Sequence, residues 1–396
     1  LSLARALATA TSSPSKPEAV RGLLLTSSWL TQSGIQEQDE LNLGGFYAWY
    51  SSIEHQYSYL YSEITGYALT CLLFLDRIIP SPIRQIAVEQ AAFWLLDKVW
   101  VPDEGGYITK VFPQKNTTQR QIFTFDTGMI LNGFLHIYRE TDNTFCLAVA
   151  SRAVDFIMNR MGSPNSMPYP ILDLETMQPM QNPSHWSTDI QPYLGKVAIG
   201  LLNYADATHS EKVRNYAASM LDWVACQAES HAEGAASRSD IAFHLHPTAY
   251  AVEALLVGAV VLDKQRLLNA ALKTWRFIAD HQLPNGGFPM LVGEGDNFER
   301  SDVCAQFIRA GYILEKLGML PETYVTSIDR ALNRLTQLLC DRPDIHSFGS
   351  MLHSGPERPE RSDPNSWCTM FAIQAFACAA GIPDICTLLT TEMMLV

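Results

Sequence analysis

Apolar positions along this chain recur with helical spacing in paired segments, and the two members of a pair differ. The first is apolar on nearly every face and rich in small residues: Tyr67–Leu75, Met129–Ile137, Val197–Ala205, Ala249–Val261 and Met370–Ala380. Such a helix is surrounded by other helices. The second carries a stripe of Lys, Arg, Glu or Asp, as in Ile83–Lys98, Phe145–Arg160, Glu211–Cys226, Gln265–His281 and Tyr324–Leu339. That spacing predicts an amphipathic, half-exposed helix. First helices begin near Glu63, Asp126, Gln191, Thr248, Asp302 and Trp367, from 54 to 65 residues apart, so one unit repeats.

The connections alternate in length. Within pairs they are short turns: Pro80–Pro82, Thr141–Asn143, Thr208–Glu211, Asp263–Lys264 and Met319–Glu322. Between pairs they are long: Val101–Ile122, Gly162–Ser187, Ser230–Leu245, Leu283–Arg300 and Asp341–Ser366. Long loops in a packed domain usually serve function, and here all fall at one end of the hairpins. The sixth first-type helix, Trp367–Ala380, lacks a partner after it, and the amphipathic segment Pro17–Thr31 lacks one near it. Pairing the two closes a ring of six inner and six outer helices. The expected fold is therefore all-α, an (α/α)6 toroid over residues 17–396 behind a flexible arm of residues 1–16. Little β structure is expected, with strand pairs in the Gly-rich loops Gly105–Lys110 and Gly286–Leu291.

Composition narrows the function. The 396 residues are 47% hydrophobic and 17% charged, a globular balance, and the net charge of −13 disfavours nucleic acid or an anionic membrane as partner. Apolar stretches such as Ala254–Leu262 read as buried helices, not membrane spans. Eight dispersed cysteines without a CxxC motif point to reduced thiols and a bacterial cytoplasmic protein. No cofactor or metal site is implied.

In a toroid the six inner helices run the same way, so their N-termini share one crater. Each offers unpaired N–H groups and about half a positive charge, which favours an anionic or polyhydroxylated ligand. Basic residues accompany them in the loops: Lys110, Lys115, Arg120, Arg238, Arg300, Arg358 and Arg361. Most of the mouths also bring a carboxylate. Asp189, Asp302 and Asp363 suit helix capping, and Pro192, Pro247 and Pro364 suit helix starts. Glu63 follows Ser62, a plausible cap, and stands near Gly66; Asp126 precedes Thr127 and Gly128. In both places a glycine permits close approach.

Glu63 and Asp126 fall on adjacent inner helices, roughly 8–10 Å apart axis to axis. Two carboxyl groups are what glycosidic cleavage needs, one protonating the leaving oxygen and one activating water. These two, with His246 and Tyr250, are the candidate catalytic residues. Tyr61, Tyr67, Trp186, Asp189, Tyr193, His244, Arg300, Asp302 and Trp367 are candidates for binding substrate, by stacking on sugar rings or by hydrogen bonds. The turns Asp103–Tyr107 and Asn285–Phe288 read as tight turns that aim an aromatic back at the ring.

The segments SEITGY, FDTGMILNGFLHIYRETD and HPTAYAVEALL, with the PDEGGY and PNGGF turns, resemble the six-hairpin glycan-active superfamily. That group holds unsaturated glucuronyl hydrolases, N-acyl-glucosamine 2-epimerases, polysaccharide lyases and the helical domain of glucuronyl C5-epimerases. The resemblance implies a uronate-containing oligo- or polysaccharide as substrate and places Glu63, Asp126 and His246 in its cavity. Three alternatives to hydrolysis stay open. A lyase or C5-epimerase would use a Tyr or His base with Arg300. A non-catalytic glycan-binding toroid would keep the pocket alone. A zinc-dependent cyclase would need Cys304, Cys368 and His246 to converge.

Overall fold

The computed structural model describes residues 15–163, 166–234, 243–293 and 298–396. Arg238 and residues 1–14 of the expected arm lie outside them. Among the described residues the inner helices are α2 (Ser62–Ile78), α4 (Thr124–Thr141), α6 (Val197–Thr208), α8 (Leu245–Leu262), α10 (Ser301–Lys316) and α12 (Ser366–Ala379). The outer helices are α3 (Pro82–Trp94), α5 (Thr144–Asp155), α7 (Glu211–Gly234), α9 (Gln265–Ala279) and α11 (Val325–Gln337). Helix α1 (Ser15–Gln32) is the sixth outer member. It packs on α12 and α11, and α12 packs on α2, so the ring closes as the pattern predicts. Helix α8 is long and apolar enough to cross a membrane, yet it lies inside the ring with most of its residues buried.

Small strands, not side-chain caps, start three of the inner helices. Leu60–Tyr61 pairs with Lys110–Phe112 just before α2, and Gln121–Phe123 pairs with Ile171–Asp173 just before α4. Phe243–His244 pairs with Leu291–Val292 before α8. This corrects several expectations. Tyr61, not Ser62, is the N-cap of α2, and the Ser62 hydroxyl is buried without a partner. Asp189 precedes a 3-10 turn, Pro192–Lys196, and Asp363 accepts from the Ser52 backbone N–H. At α12 the cap is Asn365, whose side chain accepts from the Cys368 N–H, while Pro364 sits in a strand. The two Gly-Gly turns behave as expected. Gly105 and Gly286, both at positive φ, lie against the carbonyls of Arg152 and Arg330 on outer helices, where any Cβ would clash. Tyr107 and Phe288 follow them and are fully buried.

Glycines also set the spacing of the inner ring. A Cβ on Gly66 would stand 2.9 Å from the Ile130 backbone nitrogen on α4, and one on Gly128 would press on Val197 of α6. What approaches Gly66 and Gly128 is therefore the next helix, not a ligand. Halfway down the axis the apolar wall is interrupted by paired polar groups: Lys196, Glu253, Arg309 and Gln374, with Asn132 and Asn203 beside them. Below these, Met393–Val396 is buried and its backbone is held by Asn132 and Gln374. Gly66→Ala should lower stability by about 1–3 kcal/mol through overpacking. A fall in melting temperature, followed by circular dichroism, is the expected result.

Candidate functional site

Glu63 and Asp126 occupy the first turns of α2 and α4. One residue joins their mouths. The Thr109 carbonyl accepts the Ser62 N–H (2.9 Å), and the Thr109 hydroxyl donates to the Asp126 carboxylate. Tyr61 pairs in register with Lys110, which sets the Lys110 ammonium over the rings of Tyr59 (4.6 Å) and Tyr61 (5.4 Å). Among the described residues Lys110 makes no ion pair. Asp126 is buried and Glu63 half-buried.

Burial raises both carboxyl groups above their usual range. Glu63 is pushed up to about 7; the neighbouring Tyr61 hydroxyl, Lys196 and Lys110 limit the rise. Asp126 is also raised, by burial and then by the Glu63 charge, against the Thr109 hydrogen bond and Lys110. Two such groups titrate as a pair.

Across the crater, His246 Nδ1 lies 2.8 Å from Gln306 Oε1 and 3.4 Å from an Asp302 oxygen. Both are acceptors, so the proton belongs on Nδ1 and Nε2 keeps its lone pair. Burial lowers the imidazole to about 4, more than Asp302 raises it, so it is neutral at pH 7. Asp302 itself is saturated. It receives Arg300 Nε (3.0 Å) and a second Arg300 N–H, Trp367 Nε1 (3.0 Å) and the Val303 N–H (2.7 Å). Burial opposes ionisation, but Arg300 beside it holds the carboxyl well below the usual range. Arg300, Asp302 and Trp367 thus bind one another and form a wall behind His246.

Tyr193 and Trp186 complete that side. The Tyr193 hydroxyl donates to the Ser187 carbonyl (2.8 Å), and Trp186 packs edge-on against Tyr193 (5.2 Å) and His246 (5.9 Å). His244 stands 5.5 Å from Trp186, its Nδ1 buried and unpaired, and burial with nearby Arg300 lowers it to about 3. Asp189 is half-buried, 3.5 Å from the Gln191 amide nitrogen. His353, absent from the sequence-based candidates, packs 5.7 Å from Trp367.

The crater floor is aromatic with a cation in it. Lys196 Nζ is buried over the rings of Tyr250 (4.3 Å), Tyr67 (5.0 Å) and Phe371 (5.1 Å), and it donates to Glu253 (2.8 Å). Tyr250 reaches His246 at 4.4 Å, and the Tyr67 hydroxyl is buried without a partner. The six inner-helix mouths therefore do converge on one crater. Cys304 turns away from it to the Ala331 carbonyl of α11, and among the described residues no three His, Cys, Asp or Glu side chains converge to hold a metal. Lys196, Glu253 and Arg309 were missed from the sequence, although each is a lone charge in an apolar run, itself a signal.

No family model and no curated protein matches the chain. Solved structures do. D-mannose isomerase superposes with a TM-score of 0.73 at 11% identity, covering 91% of this chain and 97% of that one. Cellobiose 2-epimerase from Bacillus thermoamylovorans gives 0.72 at 13%, covering 91% and 98%. An unsaturated glucuronyl hydrolase specific for heparin gives 0.67 at 10%, covering 93% and 98%. At these identities the likeness establishes the fold, an (α/α)6 toroid shared along nearly the whole length of all three proteins.

Proposed function

We propose that the crater is the active site of an enzyme that cleaves a glycosidic bond in a uronate-containing oligo- or polysaccharide. The observation that carries this reading is the Glu63–Asp126 pair, two carboxyl groups in the first turns of adjacent inner helices, both raised by burial. One of the two takes a proton from water as base and the other protonates the leaving oxygen as acid. Lys110, uncommitted beside them, suits a substrate carboxylate. Trp186 and Tyr61 offer ring faces to sugars. The likeness to a heparin-specific glucuronyl hydrolase supports this reading.

A second reading rests on His246. Its free Nε2, fixed by Gln306 and Asp302, is a base suited to lifting a proton from carbon, as epimerisation or isomerisation requires. The likeness to sugar epimerases and an isomerase supports it. New reducing ends with no solvent deuterium at carbon mark hydrolysis; deuterium uptake without cleavage marks the alternative.

Glu63→Gln and Asp126→Asn should each lower kcat/KM by roughly 10²-fold or more with the fold intact. Wild-type turnover on uronate oligosaccharides in both variants would sink hydrolysis. The pH profile should be bell-shaped, rising as the coupled pair loses its first proton and falling as it loses its second, with Glu63, pushed up to about 7, carrying the rise above the usual carboxylate range. The same shifts burden folding. A carboxyl raised in the folded state favours folding at low pH, and that advantage is lost as pH rises through its folded value. Glu63→Gln should therefore raise the unfolding free energy above pH 7 by about 1–3 kcal/mol, seen as a higher melting temperature, with the gain fading toward pH 4.

A further inference from the structure

We infer that Lys196 is a positioning residue that fixes the charge of Glu63 from beneath the crater floor. This deepens the hydrolytic reading, on which it rests for its catalytic meaning.

The ion cluster under the floor sets two basic side chains on one carboxylate. Glu253 Oε1 receives two guanidinium N–H groups of Arg309, at 2.9 and 2.5 Å. Arg309 is further held by Gln374 at 2.8 Å and by the Val396 main-chain oxygen. Lys196 donates to Glu253 Oε2 at 2.8 Å. Glu253, Arg309 and Lys196 are all essentially inaccessible, so water screens the Lys196 charge little. The outward side of the ammonium faces Tyr67 and Tyr250. Tyr67 lies four residues after Glu63 on α2, hence on the same helix face, one turn below. The lysine therefore stands under the Glu63 carboxylate with an aromatic layer between.

The other groups around each partner complete the balance. Glu63 faces Tyr61 and Tyr59 from its own strand, Lys110 from the next and Asp126 from α4. Tyr193 from the 3-10 turn, Tyr67 from α2 and Tyr250 from α8 also sense its charge. Lys196 faces Glu253, Arg309 and Glu63, with His246 above Tyr250. Phe371 of α12 closes the remaining side. Of the cations, Lys196 acts on Glu63 more strongly than Lys110, consistent with the full burial of one and the half-burial of the other. Each of the two groups favours the charged form of the other. Burial drives Lys196 down to about 7 and Glu63 up to about 7, so both change charge in the same range.

The test is Lys196→Met, with Lys196→Gln as a second charge-free variant that keeps a donor for Glu253. Glu63 is titrated by its infrared carboxyl band in an Asp126→Asn background, with Glu63→Gln assigning the band. Removing the charge should raise the Glu63 titration by about one pH unit, while Lys110→Met raises it less and Lys196→Arg leaves it nearly unchanged. In active protein the acidic limb of kcat/KM should move up by the same amount. A shifted titration in protein that does not cleave uronate glycans supports the inference and counts against the hydrolytic reading alone. Folded Lys196→Met or Lys196→Gln with the Glu63 titration unmoved overturns it.

Discussion

Closure of the ring by α1 is the constraint on which the crater depends. Helix α12 carries Trp367 and Phe371, and it sits between α10 and α2 with its outer side covered by α1. The contact is tight: a Cβ on Gly22 would overlap the Phe376 ring, and Trp29 Nε1 donates to the His346 carbonyl (2.8 Å) in the last long loop. That loop also supplies His353 and the strand Met351–Leu352, which pairs with Pro364–Asn365 just before α12. Without α1, the inner helix holding Trp367 against Asp302 would have one bare apolar side, and the wall behind His246 would lose its support. A local packing contact far along the sequence from the chemistry thus determines whether the chemistry has a fixed geometry.

The crater collects charge at a cost to stability. Asp126 has lost its water, and its principal neighbour of like sign is another carboxyl group. Nothing in the packing of α2 or α4 requires either group, since Gly66 and Gly128 already let the backbones meet. Asp302, by contrast, is fully served by four donors and is held ionised. The two carboxylates look alike in sequence, each in the first turn of an inner helix. Tertiary partners make one a fixed anion that orients a histidine and leave the other as half of a coupled carboxyl pair.

Much of this architecture was legible before any coordinates. Apolar periodicity marked inner and outer helices, and the unpaired segments at the two ends identified their own partner. The strand Gly106–Tyr107 and the buried Tyr107 and Phe288 followed from the Gly-Gly turns. Helix starts were less legible. Ser62, Asp189, Asp363 and Pro364 have the right chemistry for caps, but short strand pairs had already fixed where the helices begin. Gly66 and Gly128 signalled close approach correctly, and only the structure shows that the visitor is a helix. The Arg300–Asp302–Trp367 link was invisible because its members come from two inner helices and a loop end, and no local pattern encodes their meeting. Lys196 was visible in principle: a lysine opening a run such as Val197–Ala205 must find a buried partner.

The crater carries two kinds of proton-handling group. The α2 and α4 mouths hold a pair of carboxyl groups raised by burial. The α8 mouth holds a neutral imidazole whose Nδ1 proton is directed to Gln306 and Asp302. Tyr250 touches the second directly and senses the charge of the first. The same ring therefore carries both devices on opposite sides of one aromatic floor. Among the described residues Lys110 makes no ion pair, whereas the Arg300 guanidinium is committed to Asp302. The cation beside the carboxyl pair and the cation behind the histidine therefore differ in what they can still bind.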